Sequence, residues 1–346
     1  MRICRDLVRV YRNLGLSLHK DGKLGRALPS LRKAVQIGER LLRQSENNME
    51  AKSDLAISLH AQAHALFENG QIEDSLRDCM RSRRIFKKLS AESDRIEFQK
   101  NLADNFNLAG MVYGIQRRAD ESIEAFNESI RIFNRLVDER GQRNLEVFLA
   151  SSLRNRGLTF AEERNWESAI QDYDKVIAIH SRLIEGENRD EFKTDLAGIL
   201  RAKGIGLNNL HKPDAAIADF RDSIQILSKL HRTDEQPQTR RELALSLSEM
   251  AWVQSTSLQE SVRDGSNAVD YAKQACELTD WENDMMIGTL SAAYGEVEDF
   301  EKAKKYLSDA IKKAPDNFRE TRSEMMELFS DRKPYRQRFP DKSVSR

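Results

Sequence analysis

The dipeptide Leu-Ala returns on a fixed ruler, at Leu55-Ala56, Leu102-Ala103, Leu149-Ala150, Leu196-Ala197 and Leu243-Ala244. Each step, such as 55 to 102, is 47 residues. A second ladder, Leu89, Leu136, Leu183 and Leu230, keeps the same interval. A single globular core has no use for such a period. A stack of like units does, because each buries its apolar face against the next. Length alone would divide 346 residues into two or three domains. The repeat replaces that reading with one quasi-linear array. A charged fraction of 32% suits a thin stack with much exposed surface, and only 6 prolines leave room for long helices.

Residues 149–183 serve as the type unit. Leu149, Leu153, Leu158 and Ala161 fall at helical spacing, a short turn surrounds Asn165, and Ala169, Ile170, Tyr173, Val176, Ile177 and Leu183 form a second stripe. Steps of three and four residues predict amphipathic helices, so the unit is a helical hairpin. Two small-residue slots set its packing. One holds Gly15, Ala63, Gly110, Gly157, Gly204, Ala251 and Ser291. The other holds Ala27, Ser75, Ser122, Ala169, Ala216, Ala268 and Ala303. Glycine in mid-helix costs about 1 kcal/mol relative to alanine, so its recurrence implies that a neighbouring helix needs the space.

This pattern resembles the tetratricopeptide repeat (TPR), which pairs a small residue and a nearby aromatic in its first helix with an alanine in its second. Residues 284–317 carry the resemblance best, through Leu290, Ser291, Tyr294, Ala303, Leu307, Ala310 and Pro315. It implies an all-α, right-handed α-solenoid of about seven TPR-like helical hairpins with a C-terminal capping helix. Units are expected near 1–45, 48–92, 95–139, 142–186, 189–233, 238–280 and 284–317. The cap is expected at 318–330 and a polar, basic, mobile tail at 331–346. Most units exceed the usual period of about 34 residues. The surplus, in stretches such as 90–98 and 186–193, reads as longer helix ends plus a polar loop. The sixth unit carries extra residues between its helices, where Gly265 and Ser266 suit a loop. The first unit starts abruptly, near the beginning of a first helix, which leaves two expectations open, a piece of a larger parent protein and a free-standing array.

Catalytic signatures are missing from the sequence. There is no phosphate-binding Gly-Lys-Ser/Thr loop, no Gly-x-Ser-x-Gly elbow and no His-Glu-x-x-His. The expectation is a non-enzyme with no cofactor and no metal. His60 and His64, four apart, would point towards one cation, but no Cys or third His has supporting spacing. They read as polar residues on the groove face. Cys4, Cys79 and Cys276 are scattered, which predicts reduced packing residues. Zero net charge argues against a general nucleic-acid binder. Without a signal-peptide core or an apolar run of about 20 residues, no membrane contact is expected and the cytoplasm is the expected location.

In TPR proteins the first helix of each hairpin lines the concave face. Three residues before the small slot stand Arg12, His60, Asn107, Arg154, Arg201 and Ser248. One residue after it stand Leu16, His64, Met111, Leu158, Ile205 and Trp252. The resemblance thus implies a polar, arginine-bearing row beside an apolar strip. Arginine binds carboxylates through two parallel bonds, so an acidic or C-terminal peptide suits Arg154 and Arg201. A solvated row without a ligand is the alternative. The lysines and asparagines of the family's carboxylate clamp are not copied. Residues 272–310, with Lys-Pro-Tyr-Arg at 333–336, are also similar to the C-terminal part of planctomycete-type bacterial serine/threonine kinases. That similarity implies a scaffold segment of a kinase system, because no kinase element is present. The leading expectation is a scaffold binding a peptide or protein. A regulatory kinase segment and an enzyme with an unrecognised site are the alternatives.

Overall fold

The computed structural model describes residues 2–44, 46–233, 236–313 and 319–339. Pro315, Phe318 and the tail from Pro340 onward lie outside the described residues. Two compact units divide the chain, Met1–Arg164 and Asn165–Arg346. Among the described residues there are helices and no strands. Unit 1 contains α1 (Arg2–Lys20), α2 (Leu24–Gln44), α3 (Met49–Glu68), α4 (Ile72–Glu92), α5 (Ile96–Ile115), α6 (Ala119–Asn134) and α7 (Glu146–Glu162). Unit 2 contains α8 (Trp166–Glu187), α9 (Lys193–Asn209), α10 (Pro213–Thr233), α11 (Pro237–Thr256), α12 (Gly265–Leu278), α13 (Asp284–Glu296), α14 (Phe300–Lys313) and α15 (Arg319–Ser330).

Within each unit, consecutive helices pack as antiparallel hairpins, and each hairpin packs on the next. The local signals are ordinary ones. Asn48 caps α3 by accepting from Ala51 N at 2.9 Å, and Asn283 caps α13 by accepting from Met285 N and Met286 N. Pro237 opens α11, where its missing N–H is not needed. Gly22 and Gly70 make the left-handed turns that close the first two hairpins. Arg117, His211 and Glu298 take the same conformation in later ones.

The small slots sit where paired helices approach most closely. Ser75 Oγ donates to Ala63 O at 2.7 Å, Ser122 Oγ to Gly110 O at 2.8 Å and Ser291 Oγ to Ala303 O at 2.7 Å. A Cβ at Gly15 would lie 2.5 Å from Leu31, one at Gly110 2.6 Å from Phe126, and one at Gly204 2.6 Å from Phe220. The glycines therefore face large side chains of the second helix. Where alanine fills the slot the opposing group is small: Ala63 clusters with Cys79, and Ala251 with Ala272. Gly157 is buried in α7; Ala27, Ala169, Ala216, Ala268 and Ala303 are sealed in their second helices. The Leu-Ala ladder has a related use. Ala56 and Ala197 let the partner helix come near enough for Ser82 Oγ and Ser223 Oγ to bond their carbonyls at 2.7 and 2.8 Å.

The surplus residues of the long units extend the second helices. α4 runs to Glu92 and α5 starts at Ile96, leaving a short loop. Two expectations change. Gly265 and Ser266 begin α12 instead of forming a loop, because Asp264 caps that helix through Asn267 N. The stretch after α15 is docked, not loose, as far as Phe339. Tyr335 is 7% exposed and packs 5.8 Å from the Trp252 ring, Gln337 N donates to Thr256 O, and Arg336 Nη1 meets Glu296 Oε2 at 2.5 Å.

Candidate functional site

In unit 1 the predicted row falls on α1, α3, α5 and α7, one residue per first helix, and Arg12, His60 and Asn107 meet residues of a neighbouring first helix. Arg12 Nη1 stands 3.8 Å from Asp54 Oδ1 of α3. Asp54 is buried, and also takes Arg5 Nε at 2.9 Å and Arg9 Nε at 3.1 Å. Glu50 shares Arg5, at 3.3 Å, and takes Arg95 Nη1 at 2.6 Å, so two carboxylates hold four guanidinium groups here. Burial, with Arg9 nearby, lowers the Arg12 pKa below its ordinary value. His60 faces Asp104 and Asn105 of α5, and burial holds its imidazole towards the neutral form. Asn107 accepts from Asn155 Nδ2 at 3.2 Å. Arg12 Nη1, His60 Nδ1 and Arg154 Nε are buried without a hydrogen-bond partner among the described residues. Beside them Met111 is half-buried and Leu158 exposed.

Unit 2 continues the sequence pattern with different chemistry. Arg201 Nη2 bonds Glu242 Oε2 at 3.0 Å, although its Nε is unpartnered. Glu249 is close enough to feel the same charge, and burial raises its carboxyl pKa. Ser248 Oγ donates to Thr289 Oγ1 at 3.2 Å. Ile205 is half-buried. Trp252 lies under the chain's own C-terminal segment, and its Nε1 donates to Gln337 Oε1 at 3.1 Å. Asn208 Nδ2 donates to the same oxygen, and His211 meets Phe339 edge-on. Here the arginine is largely neutralised and the apolar position is covered.

Sequence reasoning missed three features. Two clefts of about 740 and 730 Å³ open in unit 2. The first lies among α10, α11 and α12, where Arg240 forks onto Asp280 through two 2.9 Å bonds. The second lies among α8, α9 and α10; Leu230 of the leucine ladder lines it with Ile177, Ile184, Leu196, Leu200 and Ile226. The third feature is a polar cluster in unit 1. His64 faces His19 of α1, not His60, and both contact Glu68. The separation of 45 positions between His19 and His64 hid this meeting. Phase relative to the small slot would have exposed it, since adjacent first helices lie side by side.

The two buried thiols, Cys79 and Cys276, are held protonated. Cys79 Sγ donates to Asn105 O, and burial raises the Cys79 and Cys276 pKa values to about 12. No helix is long and apolar enough to cross a membrane among the described residues.

Residues 7–44 match the family model for the tetratricopeptide repeat. A search of curated proteins finds no matching sequence. Among solved structures, the chain is similar to the apo form of RapI, at 16% identity and a TM-score of 0.56, covering 88% of this chain and 97% of that one. It is also similar to a signal transduction ATPase with numerous domains from Pyrococcus horikoshii, a protein with a tetratricopeptide repeat sensor. There identity is 12% and the TM-score 0.63, with 95% of this chain and 46% of that chain covered. At these identities the likeness concerns the fold alone. The first hairpin thus carries a tetratricopeptide repeat match, and the chain has the helical-hairpin fold of TPR-like arrays.

Proposed function

We propose that the chain is a non-catalytic scaffold that holds protein or peptide segments on the faces of its first helices, and that unit 1 takes an acidic segment. Two observations carry this: the buried Nε of Arg154 on α7 has no hydrogen-bond partner among the described residues, and neither has Arg12 Nη1 at the α1–α3 corner, where four arginines share Asp54 and Glu50. A donor left unpaired out of water costs about 1–3 kcal/mol, and an arriving carboxylate removes that cost. Arginine recognises carboxylates with defined geometry. Met111 and Leu158 would supply apolar contact beside the polar row. Asn107 and His60 would add neutral hydrogen bonds. In unit 2, Arg201 would play this part only after leaving Glu242.

The test uses the full chain and fluorescein-labelled peptides of matched length, glutamate-rich or lysine-rich. The acidic peptide should bind and the basic one should not. Arg154→Glu should weaken binding about 10-fold or more, with helicity unchanged. Equal binding of both peptides, or no effect of Arg154→Glu, would remove the row from the argument.

A second reading is favoured by the Pyrococcus protein, whose repeat array is described as a sensor within a larger signalling ATPase. By analogy, this chain would serve as a regulatory segment of a cytoplasmic kinase-type system, as the resemblance of residues 272–310 implies. Co-purification with a kinase from native extract supports that reading.

A further inference from the structure

We infer that His19, His64 and Glu68 form a binding site for one divalent transition cation of the zinc class. His19 comes from the last turn of α1; His64 and Glu68 lie one turn apart near the end of α3. His19 Nε2 stands 2.6 Å from Glu68 Oε2, and His64 Nδ1 stands 3.2 Å from Glu68 Oε1. One ligand atom from each residue falls within 4.8 Å of the other two. Tetrahedral zinc with ligands at about 2.0–2.1 Å needs them roughly 3.3 Å apart. The two imidazole-to-carboxylate separations fall below that value and all three ligand atoms lie within 4.8 Å, so small side-chain rotations complete the set.

The electrostatics support the geometry. Burial and the nearby His19 keep the His64 imidazole towards its neutral form, which is the form that ligates. His64 Nδ1 stands 3.2 Å from Glu68 Oε1 and makes no hydrogen bond among the described residues. The donor set of two imidazoles and one carboxylate suits zinc better than calcium or magnesium, which prefer oxygen. Three protein ligands leave a fourth position open to water or to a carboxylate from outside. The cation would also fasten α1 to α3, because its ligands come from both.

Calorimetric titration of the chelator-stripped full chain with zinc chloride decides the matter, with Co²⁺ absorption reporting tetrahedral geometry. The expected result is one equivalent bound, a visible cobalt band of tetrahedral intensity, and a zinc-dependent rise in the unfolding temperature. His19→Gln and Glu68→Gln should each lower the affinity at least about 10-fold, the loss that even an outer-layer substitution brings. His60→Gln should leave it unchanged. Circular dichroism of each variant without metal separates lost binding from lost folding. Absence of stoichiometric binding to the wild-type chain overturns the inference. So does binding that survives all three ligand changes, His64→Gln included, or binding that His60→Gln abolishes.

Discussion

The two units repeat the same hairpin and finish it in opposite ways. Unit 1 leaves α1 open: Ile3, Leu7, Val10 and Leu14 form a stripe at steps of three and four, and each is more than 40% exposed. Unit 2 covers its last hairpin twice. α15 lays Met325 and Phe329 on α14 and its neighbours, with a Cβ at Gly295 only 2.5 Å from the Phe329 ring. Residues 335–339 then run over the C-terminal ends of α13, α11 and α9. The difference extends to charge. At the α1–α3 corner of unit 1 four guanidinium groups share Asp54 and Glu50, whereas in unit 2 Glu242 stands beside Arg201 and a basic segment is docked on Glu296. One repeat pattern therefore supports an open, cationic face and a closed, compensated one. The residues that differ are those outside the packing slots.

Removing the cover is the strongest way to test this contrast. Tyr335→Ala deletes a nearly buried aromatic from the Trp252 surface, at an expected cost of about 3 kcal/mol. Because an array loses structure locally, the cost should be confined to unit 2. Hydrogen exchange followed by mass spectrometry should show faster exchange in α11, α13 and α15, with α1 to α5 unchanged. Equal acceleration in both units would mean that the docked segment supports the whole chain and that the contrast is not local.

Much of the fold was legible because its causes are short-range. A helix announces itself within two turns, and slot partners such as Gly110 and Ser122 lie within one hairpin. The site was less legible. Phase puts Arg154 and Arg201 in one row, but the neutralisation of Arg201 depends on Glu242, a residue of the next first helix. Burial of the tail depends on Trp252 and Gln337, 85 residues apart, with no periodic signal to connect them. A run of Arg, Lys, Gln and Pro reads as solvated until the acidic acceptor Glu296 is seen beneath it.

Acidification should move the two units in opposite directions. In unit 1 burial lowers the His60 and His64 pKa values below the usual 6.5. Asp104 and Glu68 oppose the shift, while Lys100, His19 and the histidines' mutual repulsion reinforce it. Below about pH 6.5 the unfolded chain then binds more protons than the folded one, so stability falls as pH drops. In unit 2 burial raises the Glu249 and Asp219 pKa values, against the attraction of Arg201 and Lys203. The folded form now binds more protons, so stability rises as pH falls towards the ordinary carboxylate range. Exchange measured at about pH 7.5 and about pH 5.5, corrected for intrinsic rates, should show unit 1 losing stability while unit 2 gains or holds. His60→Gln should flatten the first response and Glu249→Gln the second. The same sign in both units would show that other titrating groups dominate.

The smallest effect tests whether the open face of α1 contributes to the stability of the chain. Leu7 and Leu14 are 42% and 48% exposed, so much of their surface remains in water after folding. Replacing both by lysine removes little buried area and keeps good helix formers. The neighbouring arginines Arg5 and Arg9 already pair with Asp54 from the other side of the helix, so the added charges fall on solvent. The double variant should change stability by less than about 0.5 kcal/mol, as surface substitutions generally do. Thermal unfolding of unit 1, followed by exchange in α1 to α3, reads this directly. A loss of several times that size, growing with protein dilution in the wild-type control, would show that the stripe is covered by a second copy in solution. The contrast between the units would then describe the isolated chain and not its working state. An unchanged profile leaves α1 as an apolar face that unit 1 does not need for its own folding, unlike the α14 face of unit 2, where α15 and Tyr335 are part of the core.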